Sequence, residues 1–173
     1  RICADTNGWW YSVRVPSGQR VLAFHLDRDD LELKVLCDPA RLLAKSRRHT
    51  LFAEVKPATV GVQVHARPAG GAGLDLDALA ALPEGFFAIG DAMLAFDPIA
   101  SQGLFNALAT AEGVAHAVER YADGFKDARD RYLDEMRTVH TRYRQRLSET
   151  YAAVTRYAHE QFWLRRNSGA LRE

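Results

Sequence analysis

Cysteine is scarce. Cys3 and Cys37 are the only two in 173 residues, and no Cys-x-x-Cys pair exists, which argues against both a zinc site and a disulfide framework. Excess charge is lacking as well: 23 Lys and Arg against 22 Asp and Glu leave +1. That balance gives no electrostatic basis for binding nucleic acid or an anionic membrane. The one basic cluster, Lys45-Ser46-Arg47-Arg48, is short and reads as a solvated helix end. No segment reaches the ~20 consecutive apolar residues of a membrane span. No basic, apolar and small-residue succession marks a signal peptide, so the expectation is a cytoplasmic protein without a membrane span. Internal repeats and low-complexity segments are missing too. The chain opens on Arg1 and runs almost at once into a strand-like segment, so it reads as a piece of a longer polypeptide.

What is present suffices for one ordinary core or two small lobes, since 47% of the residues are hydrophobic. Residues 8–16, Gly-Trp-Trp-Tyr-Ser-Val-Arg-Val-Pro, are rich in aromatic and β-branched types, and Ser17-Gly18 follows as a turn. Residues 20–26 return as a second strand, completing a hairpin. Asp38-Pro39 is an N-cap followed by proline at the first helical position, with Leu42, Leu43 and Ala44 expected on the inner face of a short helix. Val60 to Ala66 alternates strictly and predicts a third strand. The glycines of residues 68–73 then punctuate the chain and mark the expected lobe boundary.

The second half differs in character. Residues 85–90, Gly-Phe-Phe-Ala-Ile-Gly, predict a short apolar strand, and Asp91 to Gln102 a loop containing Pro98. Gly103 to Arg120 predicts a helix with Leu104, Leu108, Ala111, Val114 and Val118 on one face. From about Asp123 a long amphipathic helix follows, its apolar stripe running from Phe125 through Tyr132, Met136, Tyr143 and Leu147 to Val154. The expected fold class is α+β. It has three parts: residues 1–73 in an antiparallel-sheet lobe, 74–122 carrying a strand–loop–helix motif, and 123–173 as a C-terminal helical region.

Chemistry concentrates between Gly85 and Leu108. An apolar strand ending in Gly90-Asp91 sets a carboxylate at the carboxyl end of a strand, where ligands of open α/β sheets sit. Glycine lets a ligand approach the backbone, and the carboxylate suits hydroxyl donors such as those of a sugar or ribityl chain. Pro98 stiffens the loop. Ser101-Gln102-Gly103 then enters a helix whose N–H groups and positive dipole end attract electron-rich or anionic groups. A flavin, whose reduced ring carries negative charge near N1 and O2, is such a ligand. On the residues alone, a tight strand-to-helix connection explains the same pattern.

The succession Gly90-Asp91-Ala92, Asp97-Pro98, Ser101-Gln102-Gly103-Leu104 and Asn106 resembles the second FAD-contacting motif of the p-hydroxybenzoate-hydroxylase-like flavoproteins. Within them it is most similar to the branch related to tryptophan halogenases. The resemblance implies that Asp91 holds the ribityl chain. It also implies that Pro98 and the backbone of Gln102, Gly103 and Leu104 lie against the isoalloxazine ring, with Gly90 and Asn106 completing the cofactor contacts. The Gly8-Trp9-Trp10-Tyr11 segment resembles the sheet of that family's substrate-binding lobe, which makes Trp10 a candidate substrate contact. Residues 161–166, Gln-Phe-Trp-Leu-Arg-Arg, are similar to a tail found in related oxidoreductases.

Departures from the family narrow the expectation. Its first FAD motif, a strand–G-x-G-x-x-G–helix that holds the pyrophosphate, is absent, and Gly70-Gly71-Ala72-Gly73 is followed by Leu-Asp-Leu-Asp instead of a helix. The full cofactor site is therefore not in this chain. Ala100 stands where halogenases carry glutamate, the tryptophan–x–tryptophan–x–isoleucine–proline signature is only partly echoed by Trp10-Tyr11-Ser12, and the halogenase lysine would lie upstream of Arg1. These differences disfavour halogenation. The implied activity is that of a flavin monooxygenase on a small organic substrate, with a dehydrogenase or reductase, including one acting on prenyl chains, as the alternative. A non-enzymatic module that docks a partner through its long helix is the rival from another class. The six histidines show no metal-ligand spacing, and no motif places a Ser-His-Asp or Cys-His set.

Overall fold

The aromatic and β-branched residues of the amino-terminal third pair as strands because their side chains cover one another across the sheet. In the computed structural model, which describes residues 1–56, 62–69, 75–83 and 85–168, three strands form an antiparallel sheet in the order β1-β2-β3. They are β1 (Ile2–Asp5), β2 (Gly8–Arg14) and β3 (Arg20–Leu26). Helices and this sheet together make an α+β protein with long C-terminal helices. The chain divides into two compact units, one of Arg1–Pro68 with Tyr151–Arg172 and one of Ala69–Thr150.

In the first unit, Thr6 and Asn7 form a two-residue turn that pairs Asp5 with Gly8. Gly8 is the first residue of β2 and closes this turn opposite Asp5. Gly8 has a second role: a Cβ there would collide with the His25 carbonyl oxygen. The second turn carries Gly18 at φ 82, the left-handed region glycine favours. The ladder then runs in register from Gly8↔Leu26 to Arg14↔Arg20, with Trp10 opposite Phe24.

The strand expected at residues 60–66 is not found. Residues 57–61 lie outside the described residues, and 62–66 pair with no strand among those described. The third strand is β1 instead. An alternating pattern specifies a half-buried face but not a hydrogen-bonding partner, and a strand needs both.

Short helices α1 (Leu33–Leu36) and α2 (Pro39–Ser46) follow, and the Asp38 side chain caps α2 by accepting from the Arg41 N–H. The inner face of α2 is not the expected one. Leu42 and Leu43 are half-buried and Ala44 is exposed, whereas Lys45 and Ser46 are buried. Lys45 is no solvated helix end, because its ammonium meets Glu32 at 2.7 Å, Asn7 Oδ1 at 3.1 Å and Asp5 at 3.8 Å. Helix α6 (Gln161–Asn167) belongs to the same unit and buries Phe162 and Trp163. The Trp163 indole N–H donates to the Asp5 carbonyl at 2.9 Å, while Arg165 pairs with Asp29 and Arg166 with Asp27.

The second unit holds α3 (Leu76–Ala80), α4 (Gly103–Ala122) and most of α5 (Ala128–Ala152). Its core gathers Leu79, Ala88, Met93, Leu94, Ala117, Tyr132 and Leu133. Burial of each larger member contributes about 2 kcal/mol. Residues 86–89 form no ladder among the described residues, so the apolar strand expected at Gly85–Gly90 is an extended run instead. Side chains take the place of a neighbouring strand. Arg129 donates to the carbonyls of Leu79, Leu82 and Phe86, and the Tyr132 hydroxyl donates to Ala88 O at 2.8 Å.

Helix α4 corrects the expected face as well. Its buried positions are Asn106, Thr110 and Ala117; of the expected face, Val114 packs half-buried against the core while Leu104, Leu108, Ala111 and Val118 are exposed. Hydrophobicity picked the stripe with the largest apolar side chains, but small and hydrogen-bonding residues let the helix approach the loop beside it. No helix among the described residues is long and apolar enough to cross a membrane.

Candidate cofactor-binding site

Residues 90–106 owe their shape to a few backbone demands. Ile89 arrives extended, and Gly90 then turns the chain at φ 58 into a short 3-10 turn over Gly90–Ala92. The Gly90 carbonyl accepts from the N–H groups of Met93 and Leu94, which closes the turn. Met93 and Leu94 plug into the core, and Asp91, between the glycine and those plugs, stands exposed.

A second turn follows at Pro98–Ala100. The Asp97 side chain caps it by accepting from the Ile99 N–H at 2.9 Å, and the Asp97 N–H donates to the Tyr143 hydroxyl at 2.7 Å. Phe96 stacks on the Tyr143 ring at 4.3 Å, so the proline loop is pinned to α5 at two points. Burial pushes the Tyr143 hydroxyl above its ordinary pKa and keeps it neutral, able to both donate and accept. Ser101 then takes φ 52 and ψ 29, the left-handed conformation that costs a non-glycine residue of order 1 kcal/mol and is found preferentially at ligand clamps.

That kink delivers the chain to the first turn of α4. Gln102 sits at the N-cap position without a side-chain cap, so the first-turn N–H groups after it have neither a helical acceptor nor a capping one. Gly103 faces open space where a Cβ would stand. Leu104 and Phe105 beside it are 78% and 71% exposed.

Two buried polar side chains of α4 lock the pieces together. Asn106 Nδ2 donates to Leu94 O at 2.7 Å and to Gly90 O at 3.3 Å. Thr110 Oγ1 accepts from the Gly90 N–H at 2.7 Å and donates to Asn106 O at 2.7 Å. The Gly90–Asp91 turn and the start of α4 are therefore one rigid element. Asn106 is a clamp within it, buried and committed to backbone carbonyls, whereas Asp91, Gln102, Gly103 and Leu104 are open to a ligand.

Trp10 belongs to the other unit. It is fully buried, stacks on Phe24 at 4.3 Å and donates its indole N–H to Asp5 Oδ2 at 2.9 Å. The first unit also has an open cleft of about 1970 Å³ lined by β3, the two short helices and residues 62–66, with Leu36, Leu42, Val64, Arg20 and Arg47 among its walls.

One constellation leaves almost no trace in the sequence pattern. Cys3 Sγ lies 3.4 Å from His49 Nδ1, and His49 Nε2 lies 3.0 Å from Asp5 Oδ2. Cys3 and Asp5 alternate on one strand, the only local sign of it; His49 joins from more than forty residues away. Among the described residues, no group of three or more His, Cys, Asp or Glu side chains is arranged to hold a metal ion.

No protein-family model, curated protein or solved structure matches this chain significantly.

Proposed function

We propose that this chain is the C-terminal portion of an FAD-dependent oxidoreductase, a flavin monooxygenase acting on a small organic substrate. It requires a glycine-rich pyrophosphate-binding segment that these 173 residues do not contain. The observation that carries the reading is the rigid joining of the Gly90–Asp91 turn to the uncapped start of α4 through Asn106 and Thr110.

The residues fit the ribityl and ring end of the cofactor. Asp91 offers an exposed carboxylate, an acceptor for ligand hydroxyls. The bare Gly103 backbone leaves room for a flat ring, and exposed Leu104 and Phe105 supply apolar surface beside it. The unpaired N–H groups of the first turn of α4 would hold the electron-rich edge of the ring, and the helix dipole would act in the same sense. The strained Ser101 and the capped Pro98 turn hold those donors in place before any ligand arrives. Bound FAD supplies the hydride and oxygen chemistry; the protein supplies position and electrostatics.

The test is an absorption spectrum of protein expressed from its complete reading frame, before and after denaturation. Bands near about 370 and 450 nm with FAD released on unfolding are expected. Asp91→Ala in that protein is expected to lower FAD occupancy. A colourless protein that ignores added FAD would overturn the reading and favour the non-enzymatic module that docks a partner through its long helix.

A further inference from the structure

Cys3 and Asp5 project from the same face of β1 because strand side chains alternate. His49, which follows α2, bridges them. A carboxylate only accepts, so Asp5 Oδ2 takes the proton of His49 Nε2 at 3.0 Å. With Nε2 donating to Asp5, the other ring nitrogen, Nδ1, faces the Cys3 thiol at 3.4 Å. Thiol, base and orienting carboxylate stand in the order a nucleophilic relay requires. The orienting group is itself fixed, because Asp5 also accepts from Trp10 Nε1 at 2.9 Å and from the Thr6 N–H at 2.8 Å.

We propose that Cys3, His49 and Asp5 form a nucleophilic thiol site that exchanges with small disulfides. It is independent of the flavin reading. In the exchange, the Cys3 S–H proton passes to His49 Nδ1 as the sulfur attacks one sulfur of the disulfide. The disulfide S–S bond breaks, a mixed disulfide forms on Cys3, and the departing thiolate takes the proton from His49 and leaves as a thiol. The small disulfide is the oxidant, so no further reactant is needed.

The surroundings explain why the relay matters. Burial, and then the Asp5 charge, push the Cys3 thiol above its ordinary pKa, while Arg156 pulls it down. The other charges at the cluster are Lys45, 3.8 Å from Asp5, and Glu32, which pairs with that lysine. Without a base, such a thiol is less ionised near neutral pH than Cys37, which is exposed and donates to a helix carbonyl, Leu33 O. With the relay Cys3 is nonetheless the more reactive.

The experiment treats the full chain with hydroxyethyl disulfide and follows adducts at Cys3 and Cys37 separately by peptide mass. Near neutral pH, Cys3 is expected to react about tenfold faster than Cys37, because general-base assistance of roughly a hundredfold or more outweighs the smaller thiolate fraction of the raised Cys3 thiol. His49→Gln should abolish that advantage and leave the Cys37 rate unchanged. Equal or slower reaction at Cys3, or a Cys3 rate indifferent to His49→Gln, would overturn the site. Should the variant misfold and disturb Cys37 too, the pH profile of the unaltered protein decides. A Cys3 rate that rises much less than tenfold per pH unit between about pH 6 and 8 supports the relay, and one rising about tenfold per unit, as for an unassisted thiol, excludes it.

Discussion

The Gly90 N–H and the Thr110 hydroxyl, twenty positions apart, meet at 2.7 Å in the interior of the second unit. This bond fixes the turn that presents Asp91 to the helix that presents Gly103. Thr110→Val keeps the shape but removes the acceptor, leaving a buried N–H unsatisfied. It should cost about 2 kcal/mol in chemical denaturation, and Thr110→Ser should recover most of the loss. Equal stability of the Val and Ser variants would show that the bond contributes nothing.

Arg129 gives a second expectation. The side chain is buried, and its guanidinium serves the carbonyls of Leu79, Leu82 and Phe86. These residues lie on α3, on the bend after it and on the run leading into Gly90, so one side chain takes the place of a neighbouring strand. Arg129→Met retains the aliphatic stem and strands three carbonyls. A loss of about 3 kcal/mol is expected, with faster amide exchange through residues 86–90 as the local signature.

How far the sequence could be read follows from these two cases. The β2–β3 hairpin, the α2 cap and the two long helices were legible because each rests on local signals: Ser17-Gly18, Asp38-Pro39, and apolar residues every three or four positions. The strand at 85–90 was misread because its partner groups are side chains of a helix forty residues away. The α4 face was misread because apolar size was taken as the mark of burial, when Asn106 and Thr110 are buried for their hydrogen bonds. Lys45 was assigned to solvent on the same kind of average, although its partners Glu32, Asn7 and Asp5 come from three other segments. The Cys3–His49–Asp5 array was invisible, since no short motif spans it. By contrast, the Asp91–Asn106 segment stood out because its glycines, aspartates and proline answer local backbone demands.

Gly8 offers a check on the sheet. A methyl group there would strike the carbonyl oxygen of His25, an atom held in the β2–β3 ladder. Gly8→Ala should therefore cost well over 1 kcal/mol, read as a lowered melting temperature, whereas the same change at an open strand glycine would stabilise by roughly 0.5 kcal/mol. Gly18→Ala, where nothing lies near the added methyl but φ is 82, isolates backbone strain alone and should cost only about 1 kcal/mol.

The last expectation concerns acid. Burial alone would raise the Asp5 carboxyl, but bonds from His49, Trp10 and Thr6, with the nearby Lys45 charge, outweigh it and hold the group down from 3.8 to about 2. A carboxylate depressed in the folded state stabilises the fold fully above its unfolded value and loses that contribution as pH falls through the folded one. The window therefore runs from about pH 4 down to about 2, and the amount at stake is about 2 kcal/mol. Glu32, also held low, chiefly by its bond from Lys45 against the opposing effect of burial, adds a loss of the same sign beginning slightly higher. In denaturation curves taken across that range, Asp5→Asn should flatten the decline of stability with acid relative to the unaltered protein. The slope is the informative quantity, because the substitution also weakens the His49 and Trp10 bonds at every pH. An unchanged slope would mean that the folded carboxyl titrates where the unfolded one does, and that the bonds seen around Asp5 do not favour its charged form.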